Sequence, residues 1–156
     1  MTSNPTSTTA FSDGSYISEI RITTDIVTYA ASADSIQMQI CQNYFCCQTP
    51  TLCGIYATGT TKIFSGSQLG ECENAPINTN ETIDVTFKTI STDGWKGTVA
   101  TIHTNSNHEN ISYLCSITSW LDSGSGAVAP DNFETTCTTI AVNHAGLTTK
   151  IRRYVH

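Results

Sequence analysis

The sequence predicts an all-β fold, an antiparallel β-sandwich stabilised by disulfides. Three observations carry that prediction. Apolar residues recur at every second position through several short segments, which sets one strand face against a core and the other in water. Threonine supplies 27 of the 156 residues, and its branched, hydroxylated side chain suits pleated, half-exposed positions. No window of twelve residues carries an apolar i, i+3, i+4, i+7 stripe free of Gly, Pro or Thr runs, so helices lack sequence support.

Residues 1–15 are almost purely polar and contain Pro5 and Gly14, the composition of an arm or linker and a substrate for O-glycosylation. Alternation then takes over. Ile20 and Ile22 share one face of an early strand, and Ile36, Met38 and Ile40 alternate with Ser35, Gln37 and Gln39. Ile83, Val85 and Phe87 alternate with Thr82, Asp84, Thr86 and Lys88, while Ile111, Tyr113, Cys115 and Ile117 alternate with Ser112, Leu114 and Ser116. Turn residues punctuate the chain at Ser12-Asp13-Gly14, Asp93-Gly94, Ser123-Gly124-Ser125-Gly126 and Pro130-Asp131-Asn132. Short strands at this spacing predict a β-sandwich.

Composition excludes several classes of function. Charged residues are 13% of the chain, against ~25% in an ordinary soluble domain. Ser and Thr together number 43, so hydroxyls wet the surface in place of charge. With 7 basic and 13 acidic groups the net charge is −6, which leaves little to neutralise nucleic-acid phosphates. No apolar run approaches the ~20 residues of a membrane-spanning helix. The charge is also uneven. Residues 1–149 hold 4 basic and 13 acidic groups, whereas the last seven residues contain Lys150, Arg152 and Arg153. The segment 147–155 reads as a strand whose basic side meets an acidic surface, its own or a neighbour's.

The cysteines are Cys41, Cys46, Cys47, Cys53, Cys72, Cys115 and Cys137. None forms a C-x-x-C pair, so disulfides are expected rather than zinc. Cys46 and Cys47 are adjacent and point to opposite faces of an extended strand, so one meets a core or loop partner and the other faces outward or toward a flanking segment. Seven is odd, so at least one thiol has no cysteine partner within the chain. It is either a buried free cysteine or a bridge to another subunit or to a further part of a longer chain. Disulfides persist in oxidising compartments, and two N-glycosylation sequons, Asn80-Glu81-Thr82 and Asn110-Ile111-Ser112, agree with an extracellular location. Residues 1–15 lack the basic start and apolar run of a signal peptide. The chain is therefore expected to be a mature or excised piece of a secreted protein.

In order along the chain, the strands resemble those of a PLAT (lipoxygenase-homology) domain. Ile20-Arg-Ile-Thr-Thr-Asp25, followed by Tyr29-Ala-Ala-Ser-Ala-Asp34-Ser-Ile36-Gln-Met38-Gln-Ile40-Cys41, is similar to that family's first hairpin. Leu69-Gly70 resembles the turn before its central strands. Trp95 with Val99-Ala-Thr-Ile102, Tyr113-Leu-Cys115 and Trp120-Leu121-Asp122 resembles its closing half. The resemblance covers about 16–122, which implies a sandwich over that stretch and an extension at 123–156 with one or two further strands; it departs from the family in its cysteines and in those last 34 residues. It implies a non-catalytic module for lipid-surface or protein contact, sometimes with calcium.

Catalysis has little support in the residues. There is no G-x-S-x-G, and Gly66-Ser67-Gln68-Leu69-Gly70 places its serine wrongly for a nucleophile elbow. An enzyme would need His103 or His108 beside a free Cys or an activated Ser; His144 and His156 complete the histidines. No cofactor is expected, with calcium the one candidate. Asp25, Asp34, Asp93, Asp122 and Asp131 fall in predicted turns, and Asp34 and Asp93 are the first candidates as oxygen ligands. Trp120 is expected to be buried between sheets, while Trp95, on the Asp93-Gly94 turn, is open to either placement.

The leading expectation is a secreted, non-catalytic module of an extracellular assembly, a filament or matrix, built through arm or strand exchange. Its partners are then further copies or other matrix chains. The second expectation is a module that binds neutral lipid surfaces or glycans through exposed aromatics.

Overall fold

A computed structural model describes residues 14–26, 36–52, 56–89, 94–105, 110–122 and 131–141. The alternating segments form strands: β1 (Ser15–Thr24), β2 (Ile36–Gln42), β3 (Phe45–Gln48), β4 (Thr61–Ser65), β5 (Pro76–Ile77), β6 (Ile83–Thr89), β7 (Trp95–Asn105), β8 (Ile111–Ser116), β9 (Trp120–Leu121) and β10 (Asn132–Ala141). A 3-10 helix, Gly66–Cys72, is the one helix among the described residues. Leu69-Gly70, expected as a turn, lies inside it, at a kink where Gly70 has φ +58° and a Cβ would meet Pro50 Cδ at 2.5 Å.

All the pairings are antiparallel, in the order β3-β2-β6-β10-β8-β7-β1-β4, with β5 added to β1 and β9 to β7. This path curls into a PLAT-like sandwich at β10. Asn132–Cys137 pairs with β6, whereas Thr138–Ala141 pairs with β8. One strand thus belongs to both sheets.

The core forms where the two inner faces meet. Ile36, Met38 and Ile40 of β2 and Ile83, Val85 and Phe87 of β6 come from one side. Ile17, Ile20 and Ile22 of β1, Ala100 and Ile102 of β7, and Tyr113 and Cys115 of β8 come from the other. Burial of each large apolar side chain contributes about 1.5–3 kcal/mol. Ile17 and Ile20 break the period of two yet both point inward, because a bulge shifts the β1–β7 register between Ile17 and Glu19.

Two expectations are corrected. The boundary placed after residue 122 does not divide the fold, because β10 lies at the centre of the path with Cys137 fully buried. Without it, β6 and β8 would each lack a neighbour on their β10 side. Trp120 is 36% exposed, because in the β7–β9 pair Leu121 takes the inward position opposite Trp95. Trp95 is the buried tryptophan, with Nε1–H donating to Thr24 Oγ1 at 3.0 Å and its ring edge-on to Tyr56. The Trp95 ring also covers Gly97, where a Cβ would come within 2.3 Å of Trp95 Cη2.

Three disulfides are present, as expected of a chain from an oxidising compartment: Cys41–Cys46, Cys47–Cys72 and Cys115–Cys137. Cys47 points inward and ties β3 to the 3-10 helix, while its neighbour Cys46 points outward and closes the β2–β3 hairpin. Cys53, Asp34, Asp93, His108, His144, His156, residues 1–13 of the polar arm, and Lys150, Arg152 and Arg153 lie outside the described residues.

Candidate functional site

Two surface features combine chemistry with exposure. The first is the tip of the β2–β3 hairpin. Its two-residue turn is Asn43-Tyr44, with Asn43 at φ +55°, a left-handed conformation that asparagine tolerates. Cys41 lies directly opposite Cys46, and their bond staples the turn at its base. Tyr44 is 95% exposed and Phe45 43% exposed.

Buried polar groups anchor this tip from behind. Gln42 Nε2 donates to the Asn78 carbonyl at 2.8 Å, and Gln42 Oε1 accepts from the Asn78 N–H at 2.8 Å. Tyr113 O–H lies 2.8 Å from the Asn78 carbonyl and 2.7 Å from the Glu81 carbonyl. The Asn43 side-chain amide donates to Glu81 Oε1 at 2.8 Å. The hairpin and the 78–82 turn are thus one unit, and Asn80 of the first sequon stands exposed on it.

The second feature is an open groove of about 380 Å³ on the outer face of β1 and β7, lined by Ser18, Glu19, Arg21, His103 and Asn105, with Asn110 at its rim. Register brings these groups together, since Glu19 pairs with His103, His103 with Ser112, and Arg21 with Thr101. Arg21 Nε is ion-paired with Glu19 Oε2. His103 Nδ1 lies 2.9 Å from Ser112 Oγ, and Nε2 lies 3.2 Å from Thr101 Oγ1 and 3.9 Å from Glu19 Oε2. Burial pushes the His103 pKa below its ordinary value; Arg21 adds to the depression and Glu19 opposes it. The imidazole is therefore neutral at pH 7.

A histidine beside a serine is the arrangement an enzyme would require, but this trio does not form a nucleophilic site. Ser112 is 2% exposed, so no substrate carbonyl reaches its Oγ. Glu19 stands beyond hydrogen-bond reach of the ring and is already held by Arg21. What the groove offers is a set of donors and acceptors with no net charge.

Among the described residues, no three His, Cys, Asp or Glu side chains cluster to hold a metal ion. Asp25 is already engaged, with Oδ1 accepting the Ile26 N–H at 2.6 Å and Oδ2 facing Lys96 Nζ at 3.2 Å. Asp131 Oδ1 accepts from the Asn132 amide at 3.0 Å.

The hairpin tip was legible in principle, because Cys41 and Cys46 stand symmetrically about Asn43-Tyr44. The groove was not, because its members come from two strands distant in sequence and from the residue before a third.

The fold is that of a PLAT-like antiparallel β-sandwich. No family model matches the chain, and no curated protein matches it. Solved structures do. One is the crystal structure of a lipoxygenase deletion variant with a further point substitution, at TM-score 0.51 and 12% identity, over 89% of this chain and 19% of that one. Another is the same deletion variant without that substitution, at TM-score 0.50 and 13% identity, over 79% of this chain and 16% of that one. The chain thus spans under a fifth of those enzymes' length, and the likeness is one of fold alone.

Proposed function

We propose that this chain is an extracellular, non-catalytic module that assembles with further copies of itself or with other matrix chains, as a filament or matrix subunit. One observation carries this reading. Strand β4 pairs with β1 on one side and, among the described residues, with no strand on the other, and it presents Ile63 at 52% exposure. An open edge of this kind is a template for strand addition. The opposite edge is blunted, because Glu71 Oε1 accepts the Gln48 N–H of β3 at 2.7 Å. Two unlike edges favour a heterologous contact, and such a contact builds an open polymer when its rotation does not close.

The cysteine count supports the same reading. Six of the seven are joined to one another, so Cys53 is the odd cysteine and the candidate for a bridge between chains. The basic groups Lys150, Arg152 and Arg153 supply the counter-charge to an acidic body in this proposal. The test is a size measurement without reductant, across concentrations. Oligomers that dissociate when Ile63→Lys is combined with reductant are the expected outcome. A strictly monomeric species would sink the proposal.

A second reading, binding to neutral lipid surfaces or glycans, is favoured by the stapled Tyr44-Phe45 tip and no longer by Trp95, which is buried. It predicts that Tyr44→Ala with Phe45→Ser abolishes binding to uncharged liposomes or a glycan array. Adding calcium to the same assay tests the assistance expected of Asp34 and Asp93. No binding by the unmodified protein would remove this reading.

A further inference from the structure

The groove between β1 and β7 has no part in either reading above, yet an acceptor for covalent modification stands on its rim. Asn110 is exposed, lines the groove and begins the sequon Asn110-Ile111-Ser112. We propose that the first sugars of an N-linked glycan on Asn110 lie in this groove against Glu19, Arg21 and Asn105, as a built part of the protein surface.

The chemistry of the lining favours a sugar. An ion-paired Arg21 and Glu19 beside a neutral imidazole present N–H donors and carboxylate acceptors at no net charge, which suits an uncharged polyol better than an anion or a cation. Asn105 adds an amide with both a donor and an acceptor. The volume of about 380 Å³ falls in the ~300–1,000 Å³ range of small-ligand sites. Its openness would make it weak for a free sugar. A tether changes that, because a linked ligand has an effective concentration on the order of millimolar.

Timing is consistent with the burial of Ser112. The residue is 2% exposed in the fold, so transfer takes place on the unfolded chain as it is made. In that step the Asn110 amide nitrogen forms a bond to C1 of an oligosaccharide carried on a lipid pyrophosphate. The C1–O bond to the pyrophosphate breaks, the lipid pyrophosphate leaves with the electron pair, and the amide loses one proton. Folding then brings Ser112 Oγ to His103 and the sugar to the groove.

Asn80 provides an internal control. It is exposed on the 78–82 turn, where its N–H is held by Asn78 Oδ1 at 3.0 Å, and it lines none of the described cavities. A glycan there stands in solvent.

The inference rests on the extracellular reading but not on assembly. The full chain, secreted from a glycosylating host, is digested in its native state with an endoglycosidase that cuts between the two core N-acetylglucosamines, and followed by glycopeptide mass spectrometry. Native release from Asn110 is expected to be at least tenfold slower than from Asn80, with equal rates after denaturation. Glu19→Ala with Arg21→Ala brings the two native rates within twofold. On the unsubstituted protein, the His103 ring resonances shift between glycosylated and deglycosylated forms. Equal native rates, unchanged His103 resonances, or a bare Asn110 beside an occupied Asn80 would each overturn the inference while leaving the extracellular reading intact. Neither sequon occupied, together with free thiols, would overturn both.

Discussion

Cys41–Cys46 and Cys115–Cys137 each join neighbouring antiparallel strands, with Cα–Cα distances of 4.1 and 4.6 Å. Their surroundings differ. Cys115 and Cys137 are fully buried where β10 passes from one sheet to the other. Cys46 is exposed, Cys41 is half-buried, and the strands they join are already paired through a two-residue turn. The same bond therefore secures a shared strand of the core in one place and sets the shape of a surface tip in the other. The effect of a cross-link depends on what would come apart without it.

Mutation is the most direct way to break this comparison. Cys115→Ala with Cys137→Ala opens a loop of 22 residues and leaves a cavity at the crossover. A loss of about 3–5 kcal/mol is expected, read from urea unfolding followed by far-UV circular dichroism. Cys41→Ala with Cys46→Ala releases a separation of only 5 residues and is expected to cost about 1–2 kcal/mol with the sandwich retained. A larger loss from the hairpin pair would reverse the assignment of roles. Reductant titration with alkylation and mass spectrometry sharpens the contrast, because the exposed bridge should open first.

Tyr113→Phe probes the polar support behind the tip. It removes the hydroxyl hydrogen-bonded to the Asn78 and Glu81 carbonyls, for an expected loss of about 1 kcal/mol. The change should be concentrated in faster hydrogen exchange across residues 78–82. The smallest effect belongs to His103. Its folded pKa lies below the unfolded value of ~6.5, so the unfolded chain binds more protons on the acid side. The His103 contribution to stability is thus complete above about pH 6.5 and is lost as pH falls through the folded pKa. Thermal unfolding between pH 7 and pH 5 should show this shallow slope, and His103→Gln should remove it.

Much of the sandwich was legible because its period is two. Ile36, Met38 and Ile40, and likewise Ile83, Val85 and Phe87, announce both the strand and the face it buries. The Cys46-Cys47 doublet was readable on the same ground, one side chain inward and one outward. Register decided what periodicity could not. Trp95 follows a turn and Trp120 stands beside apolar Leu121, yet the Thr24 hydroxyl and the bare backbone of Gly97 give Trp95 the place inside. The resemblance ends at residue 122 and so leaves Asn132–Ala141 in an extension, whereas the central position of β10 follows from pairings with strands far away in sequence. The groove combines both difficulties, since no local pattern marks Glu19, His103 and Ser112 as neighbours.

The double membership of β10 also orders events during synthesis. β10 is the last described strand along the chain, and both sheets wait for it. Until residue 141 has emerged from the ribosome, β6 and β8 stand as raw edges, and closure depends on contacts distant in sequence, which form slowly. A nascent or truncated chain that stops short of β10 has two further adhesive borders, at β6 and β8, which the finished fold covers. A single strand, arriving late in synthesis, thus decides between a closed domain and an aggregating one.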